Sequence, residues 1–275
     1  MRHSINNLKP DLRLARRFLE AQPIPGRVLL CAITGSHIYG FPSADSDLDL
    51  KGIHLTPLRR LLGLGRPKES FDRLELFEGT ELDLTLTEAR QALDLLLRGN
   101  GNMLERILSP LQLIDNEELQ ELRALAISTI SRKYFRHYQG FFRGKCRDHE
   151  RAERPQAKSQ LYIYRVALTG IHLLRSGELE TDLRVTAQIY GYEEALDLIA
   201  LKQQGTEHGS VPPQIDAHHR VAWPRLASDL EEAFATSSLP ESAPNSEAIS
   251  DWLVSRRLRE FSGPAEASGL HTQRA

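Results

Sequence analysis

Residues 46–50, "SDLDL", place two aspartates in a segment that otherwise has the pattern of a β-strand. Successive side chains of a strand point to opposite faces, so Asp47 and Asp49 share one face while Leu48 and Leu50 share the other. Two carboxylates side by side repel each other and are costly to desolvate. A hard divalent cation is the usual compensation. The segment therefore predicts a half-buried strand that presents paired carboxylates to a cation.

The composition narrows the class of protein. The chain has 275 residues, 40% of them hydrophobic and 26% charged, with a formal net charge of −2. This balance predicts a globular protein in which any basic site is local. Cys31 and Cys146 lack CxxC spacing, which argues against a disulfide framework or a zinc site and favours a reducing cytoplasm. The N-terminus lacks the apolar core of a signal peptide, and no apolar run reaches the roughly 18 residues of a membrane span. We therefore expect a cytoplasmic protein with no membrane partner.

The sequence changes character near residue 112. Before it, strand and helix patterns alternate, which predicts an α/β domain with a mixed sheet over residues 1–112. After it, the periodicity is helical almost everywhere, which predicts an all-helical domain over residues 113–262. Residues 263–275 are small and polar and are predicted to be disordered. The predicted strands are 28–33, 47–55 and a pair flanking Gly79. The predicted helices are 11–21, 88–100, one or two within 116–154, one from 158 to about 177, 191–205, 222–237 and 249–261.

Two further features surround the acidic strand. Gly35 and Ser36 directly follow a buried strand and offer free backbone N–H groups, and a helix beginning there would attract phosphate. A phosphate cradle ten residues before a carboxylate pair supplies the two halves of a site for a nucleoside triphosphate and magnesium. Asp83, between two leucines in "LDLTL", could complete the ligand set from a neighbouring strand, with Glu81 as the alternative third carboxylate.

Other interpretations of the acidic segment are a solvated turn and a calcium-binding loop. Asp45, Asp47 and Asp49 match the first three ligand positions of such a loop. However, Leu50 stands at its glycine position and Thr56 at its bidentate glutamate position. The calcium interpretation is therefore weak.

The motifs as a set resemble the DNA polymerase β-type nucleotidyltransferase superfamily, in which a hydrophobic residue and Gly-Ser precede an Asp-hydrophobic-Asp strand and a later aspartate. More narrowly, "GSHIYGFPSADSDLDLKGIH", "GNGNMLERI" and "AKSQLYIYRVALTGIHLLRSGEL" resemble the predicted nucleotidyltransferases associated with RNA-repair operons. The resemblance covers approximately residues 28–240. It implies a nucleotidyltransferase domain followed by a helical domain that closes the nucleotide cleft.

The resemblance also implies a chemistry and a set of site residues. Asp47, Asp49 and Asp83 would hold two magnesium or manganese ions, while Ser36 and the backbone of Gly35 would hold the β- and γ-phosphates. The reaction would transfer a nucleoside monophosphate from NTP to a hydroxyl and release pyrophosphate. The acceptor could be an RNA end, another nucleic acid, a protein side chain or a small molecule. The alternative is a catalytically weak nucleotide-binding or partner-binding module on the same fold.

Basic and aromatic residues in the helical part suggest further contacts. Lys158, Tyr162 and Arg165 fall on one helical face. In the resembling family such a helix faces the nucleotide, so we expect Lys158 and Arg165 on the triphosphate. Residues 131–154 carry eight Lys or Arg against three acids, interleaved with five aromatics. This segment could contact a nucleic acid acceptor, for example through Arg143 and Lys145, or be an amphipathic helix with aromatic core positions.

Three histidines lie in a region without carboxylate partners at metal-ligand spacing. They are His208, His218 and His219. We expect them to be surface histidines of a loop.

Overall fold

A computed structural model describes residues 8–65, 67–204 and 210–262. It contains a four-stranded sheet in the order β1-β2-β4-β3. β1 is antiparallel to β2, β2 is parallel to β4, and β3 is antiparallel to β4, so the sheet is mixed, as predicted. The strands are β1 (Arg27–Ile33), β2 (Leu48–Leu55), β3 (Ser70–Phe77) and β4 (Thr80–Glu88).

Twelve helices are described, and most of them follow the sheet in the chain. The helical C-terminal region is therefore confirmed. Residues 116–154 form two helices, and four short helices (α2, α4, α8 and α10) had not been predicted. No helix in the described ranges is both long and apolar enough to span a membrane. The helices are α1 (Leu12–Glu20), α2 (Leu58–Leu62), α3 (Ala89–Leu97), α4 (Gly101–Leu108), α5 (Glu117–Ile127), α6 (Tyr134–Arg151), α7 (Ala157–Ser176), α8 (Leu183–Tyr190), α9 (Ala195–Gln204), α10 (Pro213–Arg220), α11 (Trp223–Thr236) and α12 (Ser246–Ser262).

The two faces of the sheet have different roles. Leu48 and Leu50 of β2 and Leu82 and Leu84 of β4 are buried in one apolar cluster, which also includes Phe18 of α1. Since side chains alternate along each strand, the polar residues between these leucines point to the opposite face. That polar face carries the predicted site.

The helical region is built around α7, which packs against α6, α8, α9 and α11. A single cluster of buried side chains joins the sheet to this region, from Leu29 and Ile53 to Leu161 and Trp252. α12 returns to the first part of the chain, where Arg257 Nη2 lies 2.8 Å from Glu88 Oε1. The division at residue 112 therefore remains a prediction. The predicted disordered tail lies outside the described residues.

The prediction that His219 is a surface histidine of a loop is wrong. This residue lies on α10 and is buried, with its Nδ1 3.1 Å from the Tyr164 hydroxyl. Burial lowers the pKa of His219 to about 4. His218 is exposed on the same helix, and His208 lies outside the described residues.

A buried ion pair connects the two halves of the chain. Arg165 of α7 donates to Glu105 of α4 over 2.8 Å, and the two side chains are 1% and 3% exposed. Tyr39, from the loop after β1, donates its hydroxyl to Glu105 over 2.9 Å, and the Arg165 guanidinium lies over the Tyr39 ring at 3.8 Å. Burial is the largest single influence on the pKa of Arg165 and lowers it, but the Glu105 carboxylate together with the neighbouring tyrosines outweighs burial and raises this pKa. The pair thus holds the loop that leads to the acidic strand against the helical region.

Replacing Arg165 with methionine should destabilise the protein by about 3–5 kcal/mol, because the Glu105 carboxylate stays buried without its counter-charge. Chemical denaturation monitored by circular dichroism measures the loss. Adding Glu105→Gln should recover much of it, since the uncompensated charge is then gone.

Arg175→Met is the matched control on the same helix. Its ion pair with Glu232 is solvent-exposed, so the cost should stay within about 1 kcal/mol. Equal losses in Arg165→Met and Arg175→Met, or no recovery in the double variant, would contradict the role given to the buried pair.

Candidate active site

Asp49 and Asp83 face each other across two parallel strands. They are register partners in β2 and β4 and lie on the polar face of the sheet. Asp47 lies in the loop immediately before β2 and is partly exposed. Glu81 is exposed and pairs with Leu76 of β3 rather than with Asp49. The geometry therefore favours Asp83 over Glu81 as the third carboxylate, although the ligand role of each remains a prediction.

Lys51 places a positive charge beside this pair. Its Nζ lies 2.6 Å from Asp83 Oδ2 and 3.9 Å from Asp49 Oδ1. Thr85 Oγ1 is 3.3 Å from the same nitrogen. The ammonium group takes the place that a metal cation would fill between two repelling carboxylates.

The electrostatics of Asp49 favour a positive charge beside it. Burial raises the pKa of Asp49, Lys51 lowers it, and the neighbouring Asp83 raises it again. A divalent cation would offset both the desolvation and the repulsion, and carboxylate oxygens are its preferred ligands. Within the described residues, no three Asp, Glu, His or Cys side chains are gathered as a metal site. The pair fits a cation, and recruiting Asp47 as well requires a local rearrangement.

Gly35 lies against the carboxylate of Asp49. Its φ is +69°, and a Cβ built there would be 2.1 Å from Asp49 Oδ2. The backbone N–H of Thr34 donates to the Asp49 carbonyl over 2.8 Å, which fixes this approach. Only a three-residue 3-10 turn, Gly35–His37, begins here, and Ser36 is buried in it. This turn is shorter than the phosphate-attracting helix considered in the sequence analysis. Phosphate contacts by Gly35 and Ser36 therefore remain predictions.

A polar cavity of about 220 Å³, hereafter the carboxylate cavity, opens over this face. Tyr162 of α7 is one of its lining residues, and its ring packs edge-on against that of Tyr39 at 5.7 Å between centroids. Arg165, one turn further along, is in the interior and bound to Glu105, which differs from the position that we expected for a triphosphate ligand. The cavity is lined by Thr34, Gly35, Tyr39, Asp49, Lys51, Asn102, Glu105, Arg106 and Tyr162.

Lys158 and Lys145 line a second cavity of about 530 Å³ between α6 and α7, hereafter the interhelical cavity. Tyr162 borders both cavities. Lys145 Nζ lies 5.9 Å from the centre of the Tyr162 ring, whereas Arg143 forms a surface ion pair with Glu231. Lys145 therefore lines the same cavity as Lys158, whereas the sequence analysis had grouped it with Arg143.

One important residue of the site region has no sequence signal. Lys202 of α9 is buried and donates to the Phe41 carbonyl over 3.1 Å and to the hydroxyls of Ser43 and Ser46 over 3.0 and 3.2 Å. It anchors the loop that delivers Asp47 from about 160 residues away in the chain. A single lysine in a helix forms no local pattern, so only the folded structure identifies this role.

A Gly-Ser turn after a buried strand, followed by carboxylates on adjacent strands of a mixed sheet, defines a nucleotidyltransferase-like arrangement. Residues 12–255 match RlaP, described as the RNA repair pathway DNA polymerase beta family. The match covers most of the chain, so the protein belongs to this family.

The chain is also similar to two other proteins. An uncharacterized protein of Methanocaldococcus jannaschii is 28% identical over 168 residues, which is 60% of this chain and 68% of the relative. A solved nucleotidyltransferase-like protein from Exiguobacterium sibiricum aligns with 92% of this chain and 78% of its own, at 10% identity and a TM-score of 0.32.

Gly35→Ala should abolish divalent-ion binding, because the added Cβ displaces the Asp49 carboxylate and the positive φ is strained. Isothermal titration with Mn²⁺ measures the effect. Gly79→Ala is the matched control, since Gly79 has a φ of +83° and open space around its Cβ position. Unchanged Mn²⁺ affinity in Gly35→Ala would refute the proposed binding of the ion by the Asp49 carboxylate.

Lys51→Met should raise Mn²⁺ affinity by about tenfold, which corresponds to about 1.4 kcal/mol, because the ion no longer competes with an ammonium group. The same titration provides the comparison. Lys68→Met removes one exposed positive charge elsewhere and should change the affinity little. A lower affinity in Lys51→Met than in wild type would show that the lysine supports the cation instead of competing with it.

Proposed function

We propose that the protein is a nucleotidyltransferase that moves a nucleoside monophosphate from NTP to a hydroxyl acceptor. The main support is the register of Asp49 with Asp83 on adjacent parallel strands, next to the Gly35 turn. Membership of a polymerase β family supports the same chemistry.

Asp47, Asp49 and Asp83 would hold magnesium or manganese. Such ions neutralise the phosphates and lower the pKa of a bound hydroxyl. Lys51 has to release Asp83 for this carboxylate to act as a ligand. The acceptor oxygen bonds to the α-phosphorus, the bond from this phosphorus to the bridging oxygen breaks, and pyrophosphate leaves. Asp83 assists removal of the hydroxyl proton.

The remaining residues bind and position the substrate. Lys158 contributes a positive charge toward the triphosphate. Burial has the largest effect on the pKa of Asp49 and raises it, while the charge of Lys158 lowers it. Tyr162 bounds the cleft, and the backbone of Gly35 with Ser36 approaches the phosphates. Arg165 acts as a positioning residue, because it holds Glu105 and Tyr39 in the wall of the cavity.

We propose an RNA end as the acceptor. The family description names RNA repair, and α6 exposes Arg136, Arg143 and Arg147, which could contact a phosphate backbone. The second candidate is a catalytically weak nucleotide-binding module. The ion pair between Lys51 and Asp83 favours it, since the lysine already fills the cation position.

The test is transfer from α-labelled NTPs to a pool of RNA ends in the presence of Mg²⁺ or Mn²⁺, followed on denaturing gels. Wild type should label RNA. Asp49→Asn should reduce labelling by about a hundredfold or more, because a neutral amide neither holds the cation nor stabilises charge in the transition state. NTP binding measured by titration should weaken in parallel.

Asp45→Asn is the matched control, since Asp45 is an exposed aspartate four residues before Asp49. It should keep full activity, whereas a calcium loop would need it. Metal-dependent NTP binding without transfer to any acceptor would support the weak-module alternative. Equal labelling by wild type and Asp49→Asn would refute the proposed mechanism.

A further inference from the structure

The carboxylate cavity is too small for a whole nucleotide. Its volume is about 220 Å³, whereas sites for small molecules are typically about 300–1,000 Å³. A nucleoside triphosphate whose phosphates reach Asp49 must therefore extend into adjoining space. Tyr162 is shared with the larger interhelical cavity of about 530 Å³.

We propose that the interhelical cavity binds the nucleoside part of the NTP, with the phosphates directed past Lys158 to the carboxylates. This inference rests on the proposed function, because it assumes that NTP is the substrate. It adds a base-binding subsite formed by the facing surfaces of α6 and α7.

The lining combines stacking surfaces with positive charge. Phe141 of α6 and Tyr162 of α7 both line the cavity, and Lys145 Nζ lies 5.4 and 5.9 Å from the centres of their rings. The two rings are thus close to the same ammonium group. Aromatic rings stack on nucleobases with little dependence on the base, and lysines neutralise phosphates. Lys158 continues the positive charge toward Asp49.

Polar groups in the lining of the interhelical cavity are fixed by a hydrogen-bond network. His149 and Ser159 both line the cavity, and the His149 Nδ1 is hydrogen-bonded to the Ser159 hydroxyl. The other ring nitrogen, Nε2, lies 2.6 Å from Asp216 Oδ1. Asp216 is fixed in turn by Gln160, whose Nε2 is 2.8 Å away, and by Arg220 at 2.7 Å. The Ser159 hydroxyl also donates to the Gln156 carbonyl over 2.8 Å, so it presents a positioned acceptor oxygen to an N–H of a base or to a ribose hydroxyl.

Another cavity, which also adjoins the carboxylate cavity, fits a nucleotide less well. It measures about 460 Å³ and shares Glu105. Glu105, Glu180 and Asp182 line it, and its one arginine, Arg184, is paired with Asp182. It has neither a phenylalanine nor a tyrosine among its lining residues. A polyanionic substrate with an aromatic base is therefore directed to the interhelical cavity.

The test compares two probes by isothermal titration with Mg²⁺, namely inorganic tripolyphosphate and each of ATP, GTP, CTP and UTP. Wild type should bind at least one NTP more tightly than tripolyphosphate. Phe141→Leu keeps an apolar side chain but removes the stacking surface. It should weaken binding of that NTP by about tenfold, from the usual size of base–aromatic stacking, and leave tripolyphosphate binding unchanged.

Phe135→Leu is the matched control, because Phe135 lies on the same helix and stacks on Phe234 with 4.2 Å between ring centres. It should not change either affinity. Ser159→Ala provides a second variant if Phe141→Leu fails to fold. It should weaken NTP binding by about fivefold, since one hydrogen bond is typically worth about 0.5–1.5 kcal/mol.

The outcomes separate the two proposals. Equal binding of tripolyphosphate and NTP by wild type would refute the subsite. NTP binding by Phe141→Leu and Ser159→Ala at the wild-type affinity would refute it too. In both cases metal-dependent phosphate binding at the carboxylates would stand. Loss of NTP affinity confined to the two variants, in a protein that transfers no nucleotide, would support the subsite and refute the proposed transfer reaction. Absence of NTP binding in wild type would overturn both.

Discussion

The repulsion between Asp49 and Asp83 is the constraint on which the rest of the site depends. The parallel pairing of β2 with β4 puts them opposite each other, and burial makes the charge of Asp49 costly. The Lys51 ammonium offsets this cost in the structure. In the proposed function a divalent ion would replace this ammonium group between the two carboxylates, and Lys51 would move away from Asp83.

Residues from distant parts of the chain hold the acidic strand in position. The buried pair of Glu105 and Arg165 fixes Tyr39 in the loop after β1, and Lys202 fixes the segment just before Asp47. Both contacts join the loop between β1 and β2 to helices that come later in the chain. The helical region therefore forms part of the site wall and orders the loop between β1 and β2. Its closure over a nucleotide remains a prediction.

The sequence was informative where chemistry and periodicity coincide. Alternation around Leu48 and Leu50 predicts the strand, its buried face and the opposite polar face that carries Asp49. The family resemblance agrees with the family match. Prediction from the sequence fails where the role of a residue depends on contacts between distant parts of the chain. Arg165 shares a helical face with Lys158, but only packing shows that Glu105 neutralises it in the interior. The close approach of the Asp49 carboxylate to Gly35 is also a contact between distant residues that the sequence does not predict, while the phosphate contact of Gly35 remains a prediction.

The central claim is that Asp49 and Asp83 share a divalent cation in place of the Lys51 ammonium. Crystals grown with Mn²⁺ and a non-hydrolysable NTP analogue test it through anomalous scattering at the manganese edge. We expect a peak within about 2–2.5 Å of carboxylate oxygens of both aspartates, as is usual for hard divalent ions, with Lys51 turned away. A peak elsewhere, or Lys51 still bound to Asp83 while the analogue is present, would contradict the account.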